Sequence, residues 1–497
     1  MAIKIRTSTY IPHASHTLLS ETYVPRAMPR ILSTFDMTAA FVIALFLMPS
    51  AVITAASGGI GLVYLVVGCL VFFIPCTLIT AQLGALLPHE GSLYNWTHRA
   101  LGPFWSFFVG FCFWLSGVMA VVTALNGEIT MMQGLNAAWL TKPWQQGVVM
   151  LAMLAFVGLL ATQRSRRIHN LFNAGFILIM LAVLLVALAS VVWLASGHAA
   201  MISFHHISSW LPGAGTFPVF GLITLNYIGA SGPLNLAGEL RREQAVIRHL
   251  RWGLPLVFAC YFVTALAMLI VHGEAAIAGA AIAPFDVITM VSGVLGKFVS
   301  NIVVICIMTE LLLAALFYVH ISARLLMTAS IDQRIPVGLA RLNRARAPRN
   351  AVIAQTLASA LLILIIFILA PTIAWFGTPM NLAAIFFSVN LAALTMIWAL
   401  ATAFFFVDIV FLYLRSPKEF CRRRLFPMWI IWSSAAVGFI ACMVTIFDAL
   451  FNSWVANLMS NQAWWEAVGG LAFACLVVTA VCSMLANGEA RWEAFSE

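Results

Sequence analysis

The stretch Leu225-Asn226-Tyr227-Ile228-Gly229-Ala230-Ser231-Gly232-Pro233-Leu234-Asn235 decides the fold. It lies inside an apolar run, 215–239, long enough to cross a bilayer. Glycine and proline this close together break a helix, and a break in lipid leaves backbone N–H and C=O groups without partners. Each such group costs several kcal/mol unless it lines a cavity or meets a ligand. Asn226, Tyr227, Ser231 and Asn235 add hydrogen-bonding side chains around the break, which close helix packing alone would not require. Freed N–H groups suit a carboxylate, and freed carbonyls suit an ammonium, so a zwitterion would satisfy both.

A second interruption matches the first. The apolar run 33–57 contains Leu47-Met48-Pro49-Ser50-Ala51 and ends in Ser57-Gly58-Gly59. Proline removes a donor and clashes with the preceding turn. A plain proline kink would explain this run by itself. Two broken segments at corresponding places in two halves of a chain point to the substrate site of a transporter. That reading places substrate against Pro49, Ser50, Ala51, Asn226, Tyr227, Gly229, Ser231 and Gly232.

Composition sets the class. The chain has 497 residues, of which 63% are hydrophobic and 9% charged. Soluble domains carry roughly 25% charged residues, so the sequence predicts an integral membrane protein. Apolar runs near the ~20-residue length that spans a bilayer predict about twelve spans. They are 33–57, 61–87, 103–132, 146–163, 168–195, 215–239, 251–273, 298–328, 351–370, 379–413, 427–449 and 464–486. The run 379–413 is too long for one upright helix and must tilt, kink or project.

With the N-terminus inside, every one of the 26 Lys and Arg residues except Lys142 and Lys297 falls on the inner side. This bias predicts cytoplasmic N- and C-termini and a cell-membrane location. Broken spans one and six cross in opposite directions, as an inverted repeat of spans one to five and six to ten requires. The expected division is a cytoplasmic arm 1–30, a first repeat 31–200, a second repeat 201–415, helices eleven and twelve in 416–487, and a tail 488–497. The net charge of +9 follows topology and does not indicate nucleic acid. The nine cysteines show no CxxC pair and sit mostly in apolar runs. His205 and His206 are adjacent without a third ligand, so no metal site is expected.

Three segments resemble the amino acid–polyamine–organocation superfamily. They are Pro88-His89-Glu90-Gly91-Ser92-Leu93-Tyr94-Asn95-Trp96 with Leu101-Gly102-Pro103-Phe104-Trp105 and Gly110, the stretch from Tyr227 to Gly238-Glu239, and Asp332-Gln333-Arg334-Ile335-Pro336 with Pro348. The first span and its neighbours look most like the bacterial glutamate/GABA antiporter branch. The resemblance implies a twelve-helix, all-α fold of 5+5 inverted repeats with helices one and six broken. It implies alternating access, with no cofactor and a proton gradient or counter-substrate as the driving force. The pattern also departs from that superfamily. Pro49-Ser50 stands where many members carry a glycine-rich break, Ser231 where many carry glutamate, and Asn170 to Phe176 holds no lysine. Substrate and ion therefore stay open between amino acids, polyamines and other organic cations, and between proton symport and exchange.

Charge inside the spans is the remaining signal. Glu310 sits near the middle of the eighth span, where a carboxylate costs roughly 2.5–3.5 kcal/mol on insertion scales. It is the candidate for proton coupling or for pairing with a substrate ammonium, against a purely structural carboxyl. Glu128, in the outer half of the third span, lines a vestibule or reaches the interface, and the interface is favoured. Glu239, at the inner end of the sixth span, pairs with inner-loop arginines or caps a helix, and could act in a gate. Membrane lipid and a small-molecule substrate are the expected partners, with no obligatory subunit. No selectivity-filter repeat, HExxH, paired mid-span aspartate or serine–histidine arrangement favours a channel or a membrane enzyme. A non-transporting sensor would look the same in sequence.

Overall fold

The computed structural model describes residues 18–88, 91–202, 210–213, 216–242, 244–279, 283–372, 379–454 and 459–493. His89, Glu90, His205 and His206 lie outside them. The described residues are helical, with one isolated parallel bridge between Leu32 and Leu240. Among the described residues ten helices are long and apolar enough to cross a membrane, or eleven if the one bent pair is counted as a span.

That bent pair is the first span. Thr34–Leu45 begins at a reciprocal cap, in which the Ser33 side chain accepts from the Asp36 N–H and the Asp36 carboxylate accepts from the Ser33 N–H. The chain then turns by 44° and continues as Met48–Ala55. The turn falls at Phe46 and Leu47, before Pro49. Proline occupies the first turn of the second half-helix, where its missing N–H costs nothing. Ser57-Gly58 is the connection to the second span, Gly59–Leu86, with Gly58 at a φ of 73°.

The sixth segment breaks where the sequence indicates. Pro218–Tyr227 is α-helical, Ile228 is extended, Gly229 has a φ of 107°, and Gly232–Glu239 winds as a tighter 3₁₀ helix. Neither piece is long enough to cross alone. Of the twelve expected crossings, ten helices and the bent first span qualify by length and composition among the described residues, and the sixth, in two short pieces, does not. The run 379–413 is one helix, Pro379–Arg415.

The third helix, Pro103–Leu135, and the eighth, Lys297–Ile331, are the centre of the molecule. Each buries 72% of its most apolar stretch, against 22% for the last helix. Several short helices add to the expected set, and two of them bear on the site. Leu19–Ala27 lays Val24 and Met28 against Met327 of the eighth helix, and Ser92–Leu101 precedes the third.

Candidate functional site

The bend of the first span frees the backbone groups of residues 44–48, and side chains from far along the chain take them up. The Tyr318 hydroxyl donates to the Ala44 carbonyl at 2.5 Å. The Tyr261 hydroxyl donates to the Leu45 carbonyl at 2.7 Å and accepts from the Leu47 N–H at 3.2 Å. The Met48 N–H donates to Glu310, at 3.2 and 3.4 Å from the two carboxylate oxygens. Glu310 is 1% exposed, so its carboxylate sits at the positive end of the Met48–Ala55 half-helix, away from water.

Glu128 belongs to the same region. It is 3% exposed, lies within electrostatic reach of Glu310, and its Oε2 has no hydrogen-bond partner among the described residues. This corrects the interface reading of Glu128: the third helix turns the side chain into the bundle. Two buried carboxyl groups thus lie within electrostatic reach of each other beside the bend of the first span.

Trp398 of the tenth helix joins this bend to the other break. A Cβ at Gly229 would lie 2.9 Å from its ring, so only glycine lets the turn approach so closely. Trp398 meets Tyr318 edge-on at 5.7 Å and Phe113 at 5.9 Å between centroids. The aromatic wall thus spans from the Ala44 carbonyl to Gly229. Asn226 Nδ2 lies 3.4 Å from Thr54 Oγ1, a direct polar link between the two broken segments.

The remaining sequence candidates divide. Ser231 is buried at the sixth-segment turn, with a hydroxyl that has no partner among the described residues. Gly232 packs on Phe317 and Ile321 of the eighth helix. Pro49 and Ala51 are buried in the half-helix, and the Ser50 carbonyl accepts from Thr54 Oγ1. Tyr227 turns to the second span: its hydroxyl donates to the Leu65 carbonyl at 3.1 Å and its ring stacks on Phe73 at 4.7 Å.

Glu239 pairs with Arg324 of the eighth helix rather than with a loop arginine, and also accepts from the Ser165 hydroxyl. Both charged side chains are at most 1% exposed. The Glu239 carbonyl accepts from Ile31 and Leu32, so the N-terminal arm, the fifth, sixth and eighth segments meet at this end. Nearby, Asp332 accepts from the Ser20 N–H and hydroxyl, each at 2.8 Å. Burial pushes the Asp332 carboxyl up to about 6, against the opposing pull of Ser20, Tyr94 and Arg334.

Tyr261, Tyr318 and Trp398 escaped sequence reasoning, although one signal was available. Tyr and Trp usually gather at the two membrane interfaces, whereas these three lie inside their spans.

Comparison with known proteins gives the family. The family model described as amino acid permease matches residues 31–481. The chain belongs to the amino acid permease family. Curated relatives match the permease over shorter stretches. Polyamine transporter PUT1 of Oryza sativa subsp. japonica is 44% identical over 66 residues, 12% of each chain. Polyamine transporter RMV1 of Arabidopsis thaliana is 37% identical over 67 residues, 14% of each. Inner membrane transporter YjeM of Escherichia coli (strain K12) is 26% identical over 191 residues, 34% of this chain and 38% of that one. The permease thus spans only about an eighth of the length of the first of these relatives.

Proposed function

We propose that this permease is a secondary active transporter of organic amines, with polyamines and cationic amino acids as its substrate class. One observation carries the reading: the Glu310 carboxylate already occupies the Met48 N–H at the positive end of the first half-helix. An anionic group of a substrate would compete with it there. An ammonium would instead meet Glu310 and the free Oε2 of Glu128, beside the faces of Tyr318, Trp398 and Phe113, which attract cations. The relatives named as polyamine transporters support the same class.

The unpartnered Ser231 hydroxyl favours a second reading. At the sixth-segment turn it could receive the carboxylate of an amino acid whose ammonium lies on Glu310. Both readings place the termini in the cytoplasm and the protein in the cell membrane. In both, two inverted five-span repeats, 31–200 and 201–415, alternate access around the breaks. Coupling follows from competition. Glu310 holds either a proton or an ammonium, so loading one releases the other, which gives exchange of amine against proton without a covalent step.

The test is thermal stabilisation of the purified chain by putrescine, spermidine, arginine, alanine and glutamate. A ligand at 100 times its Kd stabilises by about 2.7 kcal/mol. The amines should raise the melting temperature and glutamate should not. Stabilisation by glutamate alone would overturn the amine reading; stabilisation by alanine equal to that by arginine would select the amino acid reading.

A further inference from the structure

A cavity of about 220 Å³ lies away from both breaks, between the third, eighth and ninth helices. Phe107, Phe111, Leu325, Ala329 and Ala354 line its walls, and Leu339 closes it from the loop after the eighth helix. Its lining is almost wholly apolar. The volume falls below the roughly 300–1,000 Å³ of pockets that enclose a whole small ligand. It suits one end of a chain whose remainder stays in the bilayer.

The loop that closes the cavity is basic. It carries Arg334, Arg341, Arg344, Arg346 and Arg349 within its span from Asp332 to Asn350. Arg341, Arg344 and Arg349 are exposed, and none of them has an acidic partner among the described residues. The Asn343 side chain donates to the Thr162 carbonyl at 2.9 Å, which sets this loop beside the exposed Arg164 and Arg167. An apolar slot beside a loop whose exposed arginines lack acidic partners among the described residues matches an amphiphile with a fatty tail and a negative head.

We propose that this slot holds an acyl chain of an anionic phospholipid, with its phosphate on Arg341 and Arg344. The site lies at the end of the molecule where the N-terminal arm is held. Tyr94 lines the cavity and stands beside Asp332 and Arg334, and Asp332 clasps Ser20 of the N-terminal arm. A bound lipid therefore braces the end at which the arm is held.

The experiment uses the full chain, stripped of lipid in detergent and titrated with phosphatidylglycerol or phosphatidylcholine of the same acyl composition. Phosphatidylglycerol should raise the melting temperature by several degrees more than phosphatidylcholine. Ala354→Trp, which fills the slot, and the surface double variant Arg341→Gln/Arg344→Gln should each remove that excess. Equal shifts from the two lipids would mean general solvation by acyl chains and overturn the proposal. A full excess in the double arginine variant would overturn it too. Should Ala354→Trp not fold to a monodisperse protein, the double arginine variant decides alone.

Discussion

The backbone N–H of Met48 points between the two carboxylate oxygens of Glu310, 262 residues further along the chain. The contact fixes the bend of the first span to the centre of the eighth helix. It also gives Glu310 two separable roles, as acceptor for a stranded donor and as bearer of charge.

Substitution separates them. Glu310→Gln keeps a carbonyl acceptor for Met48 and loses the charge. It should melt within about 1 kcal/mol of the parent, yet lose amine-dependent stabilisation and amine uptake into proteoliposomes. Glu310→Ala leaves the buried Met48 N–H unmet and should cost roughly 1–3 kcal/mol. Wild-type uptake in the Gln variant would remove Glu310 from the transport mechanism.

Gly229 makes the sharpest backbone prediction. Its φ of 107° is forbidding for other residues, and a Cβ would lie 2.9 Å from the Trp398 ring. Gly229→Ala should destabilise by roughly 1–3 kcal/mol through backbone strain, with the ring contact added. Pairing it with Trp398→Leu should recover only the ring contribution. Full recovery of the melting temperature in the double variant would show that the backbone carries no strain.

The contrast between the two breaks explains what could be read in sequence. The sixth is local: Gly229 takes a φ of 107° and Gly232-Pro233 opens a new, tighter helix, so the interruption is written where it occurs. The first is not local. Phe46 and Leu47 are ordinary apolar residues, and their bend is stabilised by Tyr261, Tyr318 and Glu310. Pro49 pointed to the right region but marks the start of the next half-helix. Glu310 was legible because charge in the middle of a span needs a reason. Arg324 was not, because it reads as one more inner basic residue while its partner Glu239 is distant along the chain. The burial of Glu128 depended on the rotation of the third helix, which a helix apolar on all sides does not reveal.

The Arg324–Glu239 pair invites a double-mutant cycle. Both partners are buried, so removing either leaves a charge in the interior and should cost about 3–5 kcal/mol. Glu239→Gln with Arg324→Met removes both charges and should cost less than the sum of the single changes. Additive losses would show that the two side chains act independently. The double variant should also open the arm-bearing end more readily, read as faster labelling of cysteines introduced at its buried surface.

Asp332 predicts the pH response of the arm. Its carboxyl is held near 6, above the ordinary value of 3.8, because burial disfavours the charged form. The folded protein therefore keeps this proton in a range where the unfolded chain has lost it. Its contribution to stability is greatest below pH 3.8 and declines as pH rises through about 6. A rise from 3.8 to about 6 corresponds to roughly 2–3 kcal/mol across that window. Asp332→Asn removes the titration while keeping an acceptor for Ser20. The melting temperature of the parent, measured relative to Asp332→Asn in one buffer series, should fall between pH 4 and pH 6.5 and then level off. A difference that stays flat, or rises with pH, would mean that the ionised carboxylate is the form the Ser20 clasp prefers.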